Sequence, residues 1–378
     1  MSPRIYTPSY LPFAEDPERY KENGLHPAFA TTWLDRDTLA HRYVSLKILS
    51  ADTSLDCKGL CILRDITNSK VAHEGRLFVI RLLDDFVIQG PNSKHLCLVM
   101  VLAGDRLARK SGLPFDSLEW SRIIGLQLVK ALQYLHNLSI THGDCYTSNI
   151  LLQLLAFDKW SEEDVLACLG QPVKHQVRRS DGKLIGDSAP QYTVSPGDVS
   201  ALGERPSTGR ILLIDFGEAF YHHDPSMHVY TPAPLAAPEI LFHGEITSAV
   251  DKWAFGCLVY ELCAGHTLIK LLFGWNNDAQ KDLVAMLGKP PELMWHEWKA
   301  RQEYFHPDGT PKNAQERRLK VRSLSLEQQV RNLTKPLSDP GYETGVAEPL
   351  PTNFQKLDDL LASLIVYDTS GHLSFEEI

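Results

Sequence analysis

Two polar motifs, each set against an apolar run, constrain this chain more than anything else in it. The first is His142-Gly-Asp144-Cys-Tyr-Thr-Ser-Asn149-Ile-Leu-Leu152, and the second, beyond a long spacer, is Ile211-Leu-Leu-Ile-Asp215-Phe216-Gly217. Apolar runs this short, bounded by turn-forming residues, read as buried strands rather than helices. The polar residues at their ends then fall on turns at the surface of a folded lobe, where a ligand can reach them. Any fold proposed for the chain has to put Asp144, Asn149 and Asp215 on such turns.

Two acids and an amide in this setting suit phosphoryl transfer. One Asp accepts the proton of the attacking hydroxyl, while a second Asp and an Asn hold Mg²⁺ against the phosphates of a nucleotide. Asp144 is the candidate base, and Asn149 and Asp215 are the candidate metal ligands. His-x-Asp-x-x-x-x-Asn alone is a weak signal; followed by Asp-Phe-Gly after an apolar run it is strong. Two further motifs follow in order, Ala237-Pro-Glu239, 24 residues after Asp215, and Asp251-Lys-Trp253-Ala-Phe-Gly256. Taken singly, Glu239 reads as a surface charge and Asp251 as a helix cap. In protein kinases the first motif anchors the end of the substrate-binding segment, and the second supplies an Asp that bonds the catalytic-loop backbone from a buried helix. Lys47, in Tyr43-Val-Ser-Leu-Lys47-Ile48, fits a strand that presents an ammonium to the α- and β-phosphates, and Met100 to Ala103 fits a hinge beside the adenine, with Leu102 and Ala103 at the nucleotide.

The rest of the chain is organised around these points. Residues 1–25 read as an irregular arm. Strands are expected over Ala30–Leu34, Arg42–Leu49, Gly75–Leu83 and His95–Val101, with a helix over Leu55–Ile66, giving a small β-rich lobe over 26–102. From Gly104 the texture turns helical. Ser117–His136 sets Ile123, Ile124, Leu128, Leu132 and Leu135 at helical spacing with Asp116 or Ser117 as the cap, and Trp253–Cys263 is apolar nearly all round, as in a buried central helix. Residues 153–209 form a spacer insert with one or two helical pieces inside a larger lobe over 103–378.

Composition narrows the function classes. A chain of 378 residues with 43% hydrophobic and 22% charged residues has the make-up of a globular protein, and its net charge of −9 argues against general nucleic-acid or anionic-membrane binding while favouring a basic partner. The seven cysteines are scattered through mostly apolar runs, as reduced thiols of the cytosol or nucleus would be, and Cys57 and Cys61 have no neighbouring ligands to make a zinc site. No stretch approaches the roughly 20 apolar residues of a membrane span. The expectation is a soluble intracellular protein.

With these motifs in place, the chain resembles the SR-protein kinases of the CMGC group, most of all those of fungi, over nearly its whole length. The insert between Asn149 and Asp215, the run Asp215-Phe-Gly-Glu-Ala-Phe220, and Leu283-Val-Ala-Met-Leu-Gly-Lys-Pro-Pro291 carry the resemblance beyond a generic kinase. It implies an α+β, bilobal protein-kinase fold with an incomplete β-rich N-lobe and a larger helical C-lobe. It also implies a serine/threonine kinase that uses ATP and Mg²⁺, with Asp144 catalytic, Lys47, Leu102, Ala103, Asn149 and Asp215 at the nucleotide, and Asn149 and Asp215 on the metal. The implied substrates are Arg/Ser-rich splicing factors, met in the cytoplasm, the nucleus or both, with no direct nucleic-acid or membrane contact. Two alternatives stand beside this: a pseudokinase scaffold, and a small-molecule kinase of the aminoglycoside or choline type, suggested by His-Gly-Asp in place of His-Arg-Asp.

The sequence departs from the family at several points. No glycine occurs between Gly24 and Gly59, so the Gly-rich loop expected just before Lys47 is missing; Gly24-Leu-His-Pro27 and Phe29-Ala-Thr-Thr-Trp33, which resemble the segments on either side of it, abut. Gly59 stands where a helix Glu should pair with Lys47, with Asp56 a turn earlier as a substitute. Tyr146 replaces the Lys two residues after the catalytic Asp, His372 replaces the Arg that pairs with the Ala-Pro-Glu glutamate, and Gly143 replaces the Arg before Asp144. Without that Arg, phosphate on Ser226 or Thr231 has no partner, and no phosphorylation-dependent switch is expected.

Overall fold

A computed structural model describes residues 5–7, 16–26, 32–55, 57–107, 118–154, 157–195, 197, 199, 207–270, 276–312, 324–334, 350–368 and 373–378. Asp56, Asp116, Ser117 and His372 lie outside the described residues. The chain divides into two compact units, one of Met1–Val71, Val79–Leu107 and Ile150–Gly217, the other of Ala72–Phe78, Ala108–Asn149 and Glu218–Ile378. Both helix and sheet contribute, and the fold class is α+β.

In the first unit, β1 (Thr32–Asp37) and β2 (Arg42–Ile48) form a hairpin, and with β3 (Leu82–Gly90) and β4 (Ser93–Val101) they make an antiparallel sheet in the order β1-β2-β4-β3. Lys47 on β2 is paired with Thr32 on one side and Leu98 on the other, so the sheet fixes its place. A short α1 (Ala51–Ser54) leads to α2 (Lys58–Asn68), whose buried residues Gly59, Ile62, Leu63 and Ile66 recur at helical spacing. Arg64 on its outer side bonds Asp85 of β3 through Nε and Nη2, at 3.0 and 2.6 Å.

The apolar run Gly75–Leu83 is not the strand its composition suggests. Glu74–Phe78 is a 3₁₀ turn of the second unit, packed on α3 (Leu118–Asn137), with Glu74 paired to Lys130 at 2.9 Å, and β3 starts only at Leu82. The register with β4 begins at Leu82, and before it the Arg81 carbonyl accepts the Val101 N–H at 3.2 Å and the Ile80 N–H is given to the Leu213 carbonyl at 2.9 Å. Val79 makes an isolated parallel bridge to Leu213.

β5 (Ala103–Arg106), β7 (Ile150–Leu154) and β10 (Ser207–Leu213) form a second sheet in the order β10-β7-β5, so the apolar runs flanking Asn149 and Asp215 are strands that pair with each other. Between β7 and β10, α4 (Glu162–Leu169) opens with a reciprocal cap between Ser161 and Asp164, and β8 (Lys174–Gln176) pairs with β9 (Tyr192–Val194) in a hairpin the sequence reading does not anticipate. This insert is built into the unit. Phe157 and Val165 pack with Tyr43 of β2, Asp158 accepts the Tyr43 N–H at 2.7 Å, and Tyr6, Tyr20 and Leu25 of the N-terminal arm share a cluster with Val177 and Ala189. Asn92, in the β3–β4 turn, donates to the carbonyls of Leu25 and Ser188, both at 2.7 Å, tying sheet, arm and insert together.

Among the described residues of the second unit helices predominate, with two short strands, β6 (Ile140–Thr141) and β11 (Phe220–Tyr221), which pair. α3 buries Ile124, Leu128, Leu132 and Leu135 as its spacing requires. α5 (Pro238–Leu241) precedes α6 (Ala249–Ala264), which is buried on nearly every side and ends on Gly265 in the left-handed conformation, φ 69°. Around it stand α7 (Asn276–Leu287), α8 (Glu292–Glu297), α9 (Arg301–Tyr304), α10 (Leu326–Asn332) and α11 (Thr352–Leu364). Trp253, Cys257 and Tyr260 of α6 join Leu283, Trp295, Trp298, Phe305, Val330 and Leu361 in one core. Among the described residues no helix is long and apolar enough to cross a membrane.

Candidate active site

In the second unit the chemistry sits on the turn between β6 and β7, and Asp251 holds that turn. The Asp251 side chain is fully buried at the start of α6; its Oδ2 accepts the His142 N–H at 2.8 Å, its Oδ1 accepts the Gly143 N–H at 2.9 Å, and the His136 Nε2 lies 2.9 Å from Oδ2. Burial alone would push this carboxyl up. The His136 contact and the His142 N–H more than reverse that and hold it below the usual carboxylate value. The turn it anchors carries Asp144, half-buried, whose Oδ2 and backbone carbonyl accept from the Asn149 Nδ2 at 2.8 and 2.9 Å. The expected base and one expected metal ligand are therefore neighbours with a fixed mutual geometry.

In the first unit, Lys47 and Asp215 meet: the ammonium of Lys47 is 3.0 Å from the Asp215 Oδ1. Asp215 follows β10 with φ 64°, a conformation uncommon for a residue with a side chain and one that aims it out of the strand. Leu102 lies where the chain passes from β4 to β5, half-buried against the Tyr43, Phe157 and Val165 cluster, and Ala103 opens β5 opposite Gln153 of β7.

Donor chemistry tests the fit to Mg²⁺ and nucleotide. Hard divalent cations take oxygen ligands. The Asp215 carboxylate is one, and because the Asn149 Nδ2 is committed to Asp144, the Asn149 Oδ1 is the oxygen that residue offers. Lys47, held on a strand, offers the cation that phosphate would need. Taken one by one, these side chains have the donor chemistry that the group requires.

The protein kinase domain family matches residues 204–378. A serine/threonine protein kinase of Aspergillus fumigatus is 28% identical over 313 residues, covering 79% of this chain and 71% of that protein. The serine/threonine-protein kinase SRPK of Physarum polycephalum is 25% identical over 333 residues, covering 78% and 77%. SRSF protein kinase 3 of Homo sapiens is 30% identical over 170 residues, covering 36% and 29%. The chain is thus similar to serine/threonine protein kinases, SR-protein kinases among them, and its C-terminal part matches the protein kinase domain.

The geometry gives physical content to the places where the sequence departs from the SR-protein-kinase pattern that it resembles. Gly143 has φ 78°, and a Cβ on it would lie 2.7 Å from the Glu218 carbonyl oxygen, so an Arg there would need the backbone to move. The Gly143 carbonyl accepts from the Thr231 Oγ1 at 2.8 Å, and Glu218 accepts the Tyr230 N–H at 3.1 Å, which fixes the segment after Asp-Phe-Gly without a phosphate. Tyr146 packs against the α6 core. Glu239 is 5% exposed, and burial raises its carboxyl to about 6. Gly59 sits on the buried side of α2, and its nearest non-helical neighbour is the Phe216 carbonyl. Sequence reasoning missed His136 as a partner of Asp251, because the two are 115 residues apart with no shared motif.

Proposed function

We propose that this chain is an ATP- and Mg²⁺-dependent serine/threonine protein kinase that transfers the γ-phosphoryl group to Ser in Arg/Ser-rich proteins such as splicing factors, in the cytoplasm, the nucleus or both. The reading makes residues 26–102 the nucleotide-side lobe, without a Gly-rich loop, and 103–378 the substrate-side lobe with its insert at 153–209. The observation that carries it is the Asp144–Asn149 pair on a turn fixed by buried Asp251.

In this reading Asp144 accepts the proton of the substrate hydroxyl as it attacks, and its carboxylate is oriented by the Asn149 amide. Asn149 and Asp215 supply oxygens to Mg²⁺, and Lys47 supplies charge to the α- and β-phosphates while Leu102 and Ala103 border the adenine. Mg²⁺ held by these oxygens would supply charge neutralisation at the transferring phosphate. A net charge of −9 supports a basic substrate through long-range attraction.

The experiment is a thermal-shift measurement with Mg-ATP together with incorporation of labelled phosphate into an Arg/Ser peptide. Wild type responds in both assays; Asp144→Ala keeps the shift and loses incorporation, and Asp215→Ala loses both. A shift without incorporation supports the scaffold reading, which the missing Gly-rich loop favours. Phosphorylation of a small alcohol but of no protein supports the small-molecule kinase.

A further inference from the structure

Gly59 stands where the resemblance calls for a carboxylate to hold Lys47, yet the structure gives that glycine a role of its own. It begins the buried stripe of α2, at the helix's first turn, where alanine would favour the helix more. A Cβ there would come to 2.7 Å from the Phe216 carbonyl oxygen, 3.3 Å from its carbon and 3.7 Å from the Gly217 Cα. The obstacle is backbone on both sides. α2 cannot yield easily either, because Arg64 ties it to Asp85 of β3 and its buried face includes Ile62, Leu63 and Ile66. Asp65, the one acid within α2, is on the exposed face, and Lys47 is met by Asp215 at 3.0 Å.

We propose that Gly59 is a positioning residue of the nucleotide site: having no side chain, it lets α2 seat on the Phe216 carbonyl, and this fixes Asp215 where it, rather than a helix carboxylate, holds Lys47. The inference rests on the nucleotide reading above and deepens it. Asp215 then serves Lys47 when no nucleotide is bound and the metal when one is, and the phosphates take over Lys47 at the same moment. Putting a glutamate at position 59 supplies a carboxylate but lifts α2 off Phe216, so it does harm where a simple repair of the family pattern would do good.

The test compares wild type, Gly59→Ala, Gly59→Glu and Lys47→Met in the full chain by three measurements: amide hydrogen exchange at Phe216 and Gly217 without ligand, the Mg-ATP thermal shift, and the ATP KM and kcat on an Arg/Ser peptide. Both Gly59 variants speed exchange at those amides and shrink the thermal shift, and the ATP KM rises about tenfold or more with a smaller change in kcat. In the Lys47→Met background, Gly59→Glu still speeds exchange at Phe216 and Gly217, because the seating of α2 on the Phe216 carbonyl does not depend on the ammonium, and Lys47→Met alone leaves that exchange slower than either Gly59 variant does. Unchanged exchange in Gly59→Ala overturns the seating, and a larger shift or faster turnover in Gly59→Glu overturns the role given to glycine. A wild-type chain indifferent to Mg-ATP sinks the nucleotide reading, and with it the role, while the exchange data still judge the seating by themselves.

Discussion

Replacing Asp251 with alanine is the sharpest test of how the candidate catalytic turn is held. The carboxylate is fully buried and accepts two backbone N–H groups, from His142 at 2.8 Å and Gly143 at 2.9 Å, with His136 as a third neighbour at 2.9 Å. Alanine leaves both N–H donors buried and unsatisfied, about 1–3 kcal/mol each. Losing one side of a buried charge contact costs about 3–5 kcal/mol by itself in measured cases, so the two routes agree on roughly 3–5 kcal/mol in all. Asp251→Asn keeps one oxygen for one N–H but turns an NH₂ toward another donor, and it should lie between wild type and alanine. Urea unfolding followed by tryptophan fluorescence reads the change, since Trp253 lies in the same buried helix. Phosphate transfer should fall along with stability, because the turn that carries Asp144 loses its anchor. A loss under about 1 kcal/mol for Asp251→Ala would refute the accounting, since unsatisfied buried donors cannot be that cheap.

Glu239 gives a pH dependence: its folded carboxyl sits at about 6, above the 4.5 of an unfolded one, so the folded chain binds more protons between these values and stability falls as pH rises through that window. The penalty is complete above pH 6 at about 2 kcal/mol, so Glu239→Gln should stabilise thermally at pH 7.5 and be neutral near pH 4; an equal effect at both would refute it. Lys281, 1% exposed, pairs with Asp278 at 3.1 Å inside α7, so Lys281→Met should cost about 3–5 kcal/mol in chemical denaturation while Asp278→Leu with Lys281→Met restores most of it. Ser226 donates to the His228 carbonyl and Thr231 to that of Gly143, with no Arg before Asp144 to receive a phosphate; phosphorylating either leaves kinase activity without a gain, and a large gain would refute this reading.

What the sequence made legible was whatever leaves a local pattern. Lys47 on a strand, the strands beside Asn149 and Asp215, and the buried helix holding Trp253 all follow from short-range apolar spacing, and the structure has them. Gly75–Leu83 misled because apolar content marks burial, not the partner: burial there comes partly from α3 packing on a 3₁₀ turn, and the register with β4 begins only at the last two residues. The β8–β9 hairpin escaped because its strands are three residues each and fifteen residues apart, too short and too far separated to show alternation. At the site, spacing named Asp144, Asn149, Lys47 and Asp215, but not that Lys47 would meet Asp215 or that His136 would meet Asp251. Those pairs span 168 and 115 residues, and only the folded chain brings them together.

The departures from the kinase pattern are easier to understand once packing is considered. In each unit a residue that the family would carry as a charged side chain is a glycine, and in each a Cβ at that glycine would lie 2.7 Å from a backbone carbonyl, Phe216 for Gly59 and Glu218 for Gly143. Had the charges been lost by substitution alone, the space they filled would remain, open to water or to a neighbouring side chain. Backbone fills it instead. The groups that could still do chemistry are held by means that need neither charge: Asp144 by Asn149, the turn beneath it by Asp251, and Lys47 by Asp215. A scaffold with no phosphate to transfer would gain nothing from keeping the Asn149 amide on the Asp144 carboxylate, a bond that orients a base and contributes only about 1.5–3 kcal/mol to folding. Asn149→Ala should therefore harm turnover far more than it harms stability, and an equal loss of both would favour the scaffold.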